Sequence, residues 1–160
     1  MTAIFEDINL IIQSKTRMNE IVWSIMGQIY IPKKMNTDTF WWEAIMPTET
    51  FIPPHFHSAQ DKFLYITEGE LDIVVDGREE HVMAGQIYNF PLQSTHSFFN
   101  NSGKTVKGIF WAEPTNRLFE LFKAIHNVAD FSEVVRVSDA HDVHFQLSNQ
   151  ESRIGSLKEE

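Results

Sequence analysis

An all-β antiparallel barrel closed by short C-terminal helices is the fold class that this sequence predicts, and three observations point to it. Between Glu20 and Glu113 the chain falls into short runs rich in β-branched and aromatic residues, separated by turn residues at the intervals of sandwiches and barrels. After Pro114 the apolar period lengthens to that of a helix. A length of 160 residues suits one hydrophobic core and is short for two.

Taken in order, the first dozen residues place Ile4, Phe5, Ile8, Ile11 and Ile12 at spacings that fit one helical face, although their β-branched content fits a strand equally. This arm, residues 1–19, stays open between the two. Strands are expected at 21–31, 40–46, 62–67, 71–75, 80–83, 86–90, 96–99 and 105–111, within a barrel spanning 20–113. The breakers between them are Pro32, Pro47, Pro53-Pro54, Glu68-Gly69, Asp76-Gly77, Ala84-Gly85, Pro91 and the segment 100–103. Asp76-Gly77 is the strongest hairpin signal, because both residues tolerate the positive φ of a tight turn. The runs read as a meander of hairpins. Over 114–147, Leu118, Leu121, Phe122 and Ile125 recur as one helical face. Asp130 with Glu133 then marks a second helix start. From Ser148 to Glu160 the chain is polar and unpatterned, as in a frayed tail.

Charge and composition narrow the function. Thirteen Lys and Arg stand against 22 Asp and Glu with no basic run, which argues against nucleic acid, since phosphate binding needs clustered cations. The absence of cysteine excludes disulfides, thiolate metal sites and Cys nucleophiles, and suits a reducing compartment. The first seven residues lack the basic start and apolar stretch of a signal peptide, and no run reaches the roughly 18 apolar residues of a membrane span. A cytoplasmic protein without membrane association is the expectation.

The chemistry lies in the histidines. His55 and His57 are two residues apart, so in an extended strand both imidazoles project from the same face. His96 lies several strands downstream, and a barrel is needed to bring it beside them. Such a pair alone fits a core or capping role as readily as a metal site.

The surroundings of these histidines add more. The segment from Pro54 through His55, His57, Asp61, Lys62 and Gly69 to Leu71 resembles the first cupin motif, an H-x-H pair followed by an acidic ligand and a Gly. The segment from Gly85 through Pro91 and His96 to Asn100 resembles the second, with Gln93 where that motif has its second Gly. The layout is similar to single-domain cupins grouped with quercetin 2,3-dioxygenase. The resemblance implies a β-sandwich barrel of jelly-roll type, usually a homodimer, with one divalent transition metal on three His and one Glu. It also implies a dioxygenase-like oxidoreductase acting on a small aromatic or enolic molecule. Carried over residue by residue, the metal ligands are His55, His57 and His96, for zinc, nickel, manganese or iron.

The fourth ligand is where this sequence departs. Counting back from Gly69 puts the acidic position at Lys62, whereas the shorter permitted count forward from His57 reaches Asp61. The count from Gly69 runs along one continuous strand whose register fixes facing, so Lys62 is expected to point inward and Asp61 outward. An ammonium repels a divalent cation and has no lone pair to donate. Three imidazoles can still hold a metal, at reduced affinity. The alternative is a non-catalytic cupin that binds a small anion with Lys62 as counter-ion; a barrel kept for its dimer surface is a third reading. Lys62 could instead pair with Asp61, Glu43 or Glu68, since buried Lys is rarely unpaired. Ligand-binding candidates besides Lys62 are Glu43, Trp42, Phe98 and Phe110, although core packing suits the aromatics and a surface position suits Glu43. His81, His126, His141 and His144 are expected at the surface or at helix ends.

Overall fold

The computed structural model describes residues 2–14 and 20–146. The tail expected over 148–160 lies outside the described residues, as do residues 15–19 of the arm. Among the described residues no helix is long and apolar enough to cross a membrane.

The chain runs α1 (Thr2–Gln13), β1 (Trp23–Ile25), β2 (Gln28–Met35), β3 (Phe40–Met46), β4 (Phe51–His57), β5 (Asp61–Glu68), β6 (Glu70–Val75) and β7 (Arg78–Met83). It continues through β8 (Ile87–Phe90), β9 (His96–Phe99), β10 (Val106–Glu113), α2 (Leu118–Ile125), α3 (Phe131–Asp139) and β11 (Val143–Phe145). One sheet has the order β1-β2-β3-β10-β5-β8 and the other β11-β4-β9-β6-β7; every pairing is antiparallel. The inner faces of the two sheets form one core, in which Tyr30, Trp42, Leu64, Phe90 and Phe110 of the first meet Ile52, Leu71, Ile73 and Phe98 of the second. This is a β-sandwich closed into a barrel.

Several local expectations change. The run 21–31 is two strands, broken at Met26-Gly27, where both residues have positive φ. Pro32 and Pro53-Pro54, read as breakers, lie inside β2 and β4. Each sits at a register shift, between Pro32 and Lys34 against β3 and between Ile52 and His55 against β9, so a missing N–H leaves no ladder bond broken. A meander is also not what forms: β4 pairs with β9, and β5 with β10 and β8, because turn residues fix where the chain reverses and not which strands meet. Asp76-Gly77 does join a tight hairpin, with φ of 48° and 80°.

The arm is helical, for Ile8 and Ile11 pack on Trp41, Ile109 and Trp111 on the outer face of the first sheet. Trp41 and Trp111 stack there with ring centroids 4.5 Å apart. The inward apolar residues of the arm are thus covered within the chain. Helix α2 buries Leu118, Leu121, Phe122 and Ile125, and Phe122 packs against the rings of Trp23, Tyr30, Phe40 and Trp42 to close one end of the barrel. Asp130 caps α3 by accepting from Ser132 N. The segment 114–147 is not all helix and turn: β11 returns to the sheet and pairs with β4.

Candidate metal centre

Pairing of β4 with β9 sets His55 opposite His96, and strand alternation places His57 on the same inner face as His55. One ligating atom from each of the three lies within 4.8 Å of the others. All three are buried, His96 with only 2% of its surface exposed.

The hydrogen bonds fix which nitrogen of each ring is free. His55 Nδ1 lies 2.8 Å from the carbonyl oxygen of Pro53, and His96 Nδ1 lies 3.1 Å from that of Ser94. A carbonyl only accepts, so both Nδ1 atoms carry the proton. His57 Nδ1 lies 3.2 Å from Gln60 Oε1, and Gln60 Nε2 donates to the Thr115 carbonyl at 2.7 Å. That second bond orients the amide, so His57 also donates through Nδ1. Each neutral ring therefore offers an Nε2 lone pair, and His96 Nε2 is buried with no partner among the described residues. Histidine ligands of metals are held in this way, one nitrogen donating to an oxygen and the other facing the ion. The donor set fits a divalent transition metal, whose bonds to imidazole nitrogen are about 2.0–2.1 Å.

The electrostatics keep the lone pairs available. Burial lowers the pKa of His55 to about 3, and the Lys62 charge pushes the same way. His57 and His96 are lowered well below the usual imidazole range, again chiefly by burial, with repulsion from Lys62 and the neighbouring rings adding to it. All three are neutral at ordinary pH.

Lys62 points into the barrel and is only 5% exposed, while Asp61 faces solvent. Its Nζ sits 5.3, 4.9 and 4.7 Å from the ring centroids of Phe90, Phe98 and Phe110. None of the carboxylates weighed as its partner reaches it: Glu68 pairs with Lys107, Asp61 is exposed, and Glu43 is on the far face. Desolvation lowers its pKa to about 7. Lys62 lines a small opening together with His57, Gln60, Phe90, Pro91, Gln93, Ser94 and His96; the free space there is about 160 Å³ counting the mouth.

Glu43 is a correction. Trp42 and Ala44 face the core, so Glu43 between them shares the outer face with Trp41 and cannot reach the cavity. Trp42 stacks on Phe110 at 5.4 Å and so backs the aromatic cage without lining the opening. Two contributors escaped the sequence. Gln60 holds His57, and its only signal was a polar residue ahead of a strand. Phe145, on β11, packs against the His55 ring at 5.2 Å, because its strand pairs residue for residue with His55 to His57.

The other histidines have separate work. His81 is held by Asp72 and Glu70 on the surface, and the bond to Asp72 raises its pKa. His126 Nδ1 accepts from Ser24 N at the end of α2, and His141 Nδ1 donates to the Val137 carbonyl. His144 is not at a helix end; it sits on β11, between Asp139 (2.6 Å) and Ser58 Oγ (3.2 Å). Ser58 Oγ also lies 3.2 Å from the Asp142 carbonyl, so this half-exposed chain of bonds ties β11 to the end of β4.

A comparison with protein families matches residues 41–112 to the Cupin domain. The matched span contains all three histidines and Lys62. The barrel has the cupin fold. Among solved structures, this chain is similar to an RmlC-like cupin from Shewanella frigidimarina NCIMB 400, with 18% identity and a TM-score of 0.58 over 67% of this chain and 95% of that one. It is also similar to the polyketide cyclase RemF from Streptomyces resistomycificus, with 20% identity and a TM-score of 0.54 over 63% and 78% of the two chains. Both likenesses are in fold. Among curated proteins, the polyketide synthase CurC of Streptomyces cyaneus is 30% identical over 78 residues, 49% of this chain and 51% of that protein. The chain thus spans about half the length of that curated relative.

Proposed function

We propose that this protein is a divalent-metal-binding cupin that acts on a small molecule with an enolic or enolisable carbonyl group. The observation that carries this reading is the set of three buried imidazoles, each fixed through Nδ1, with His96 Nε2 unpartnered. A bound zinc, nickel, manganese or iron ion supplies Lewis acidity to an oxygen of such a molecule. The chain's own residues do the rest. The carbonyls of Pro53 and Ser94 and the amide of Gln60 hold the rings in place, so little reorganisation is needed. Phe90, Phe98 and Phe110 keep the surroundings dry, which strengthens the pull of the Lys62 cation on negative charge that develops on an enol oxygen.

The polyketide names of CurC and RemF support enol chemistry, since polyketide chains are built of enolisable β-ketones. Dioxygenase-like oxidation of a bound aromatic or enolic molecule is the oxidative form of the same proposal. The small opening and the buried cation favour its alternative, a non-catalytic binder of a small anion. A homodimer also belongs to the proposal, with Leu10 of α1, 68% exposed, among the apolar side chains available to a second copy.

Metal analysis of protein purified without an affinity tag tests the reading, followed by α-hydrogen exchange and oxygen uptake with a panel of 1,3-diketones and flavonols. Near-stoichiometric metal, lost in His96→Ala, with exchange or oxygen uptake is the expected result. Failure to bind any of the four metals would sink the metal reading, and metal without turnover would leave the binder.

A further inference from the structure

We propose that Lys62 is an anion anchor, so that the molecule taken up beside His55, His57 and His96 is a short oxo acid with its carboxylate on Lys62 Nζ. The proposal rests on the metal-site reading for its second contact, and on Lys62 itself for its first.

Three observations lead to it. An ammonium has three N–H donors, and Lys62 makes no hydrogen bond or ion pair with any described residue although it is 95% buried, as its 5% exposure implies. The faces of three phenylalanines attract a cation but accept no conventional hydrogen bond, so they leave its donors unmet. Secondly, the opening is lined by His57, Gln60, Lys62, Phe90, Pro91, Gln93, Ser94 and His96, without one carboxylate. With a divalent ion on the imidazoles, the site carries formal positive charge and no anion among the described residues lines the opening to balance it. Buried charge of one sign is costly unless paired, and the ligand is the group able to pair it. Thirdly, the space between these side chains is tight, about 160 Å³ even with the open mouth counted, which points to a short acid and away from a fused polycyclic ring.

A 2-oxo or 3-oxo acid meets these conditions, with the carboxylate at Lys62 and the carbonyl oxygen toward the Nε2 atoms. A neutral ester of the same shape lacks the first contact.

The test is calorimetric titration of 3-oxobutanoate, its methyl ester, pyruvate and inorganic phosphate into metal-free and zinc-loaded protein. The wild type is expected to bind an oxo acid at least about tenfold more tightly than the ester, as befits a charge-assisted bond in a buried site. Lys62→Met and Lys62→Gln should each reduce that preference to less than about twofold, and either variant serves if the other fails to fold. Binding is reciprocal, so the acid should tighten zinc by the factor with which zinc tightens the acid, and this coupling should shrink in both variants. Equal binding of acid and ester, or a preference that survives both substitutions, overturns the proposal and leaves water as the partner of Lys62. Phosphate binding above both oxo acids overturns the carboxylate assignment. If zinc binds nowhere, the metal reading fails, while the acid-against-ester comparison in metal-free protein still decides the role of Lys62.

Discussion

Lys62→Met replaces a buried cation by an apolar side chain of similar length, and it should stabilise the metal-free protein in a pH-dependent way. A lysine held at about 7 in the folded state, against 10.5 ordinarily, takes up its proton less readily when folded than when unfolded. At about 1.4 kcal/mol per pH unit, this costs the wild type roughly 5 kcal/mol of folding free energy below pH 7. The faces of Phe90, Phe98 and Phe110 offset part of that cost, by about 0.5–2 kcal/mol. A net gain of about 2–4 kcal/mol is therefore expected near pH 6.5. The sign follows from proton counting. Between about 7 and 10.5 the unfolded chain holds the proton and the folded chain does not, so wild-type stability climbs with pH and the gap closes. It should be about 1 kcal/mol or less by pH 10. Urea unfolding of both proteins with chelator at pH 6.5, 8, 9 and 10 reads this directly, and the three histidines, common to both, cancel. A gap that stays constant across that range would refute the reasoning.

Other outcomes follow from the same site. Lys62→Glu should raise zinc, nickel or manganese affinity by at least about tenfold and Lys62→Ala by less, with Asp61→Ala indifferent, as measured by calorimetry; the reverse ranking would make Asp61 the carboxylate ligand. Because burial keeps His55, His57 and His96 neutral, the unfolded imidazoles take up protons that the folded ones refuse. Stability of the metal-free protein should fall as pH drops below about 6.5, by up to about 1.4 kcal/mol per pH unit for each histidine; urea midpoints unchanged between pH 6.5 and 5 would contradict this. Gln93 holds a φ of 59°, where a side chain is strained, so Gln93→Gly should stabilise by about 0.5–1 kcal/mol in thermal melts. Sedimentation at micromolar concentration should show a homodimer, and a stable monomer would remove that part of the proposal.

The parts of this molecule that could be read in the sequence are those set by near neighbours. The spacing of His55 and His57 gives their common face, the run from Gly69 back to Lys62 gives the inward side, and Asp76-Gly77 gives its hairpin. What escaped depends on partners distant in the chain. Val143 to Phe145 is too short to show a period and lies beside a helix, so only its pairing with His55 to His57 makes it a strand. Pro53 and Pro54 read as a break because the register shift that accommodates them belongs to β9. Glu43 was undecidable from its own strand: alternation says that it opposes Trp42, and not which side is the core. Gln60 shows only as a polar residue ahead of a strand until Thr115, 55 residues on, fixes its amide.

The docking of β11 against β4 has a consequence for the order in which the site is made. A chain synthesised from its N-terminus has both histidine-bearing strands, β4 and β9, before residues 143–145 are added to pair with β4. Until then the edge of β4 is open and the His55 ring lacks the Phe145 contact. The imidazole cluster thus takes its last neighbour from the segment made after both of its strands, and loss of that segment would leave His55 at an open sheet edge.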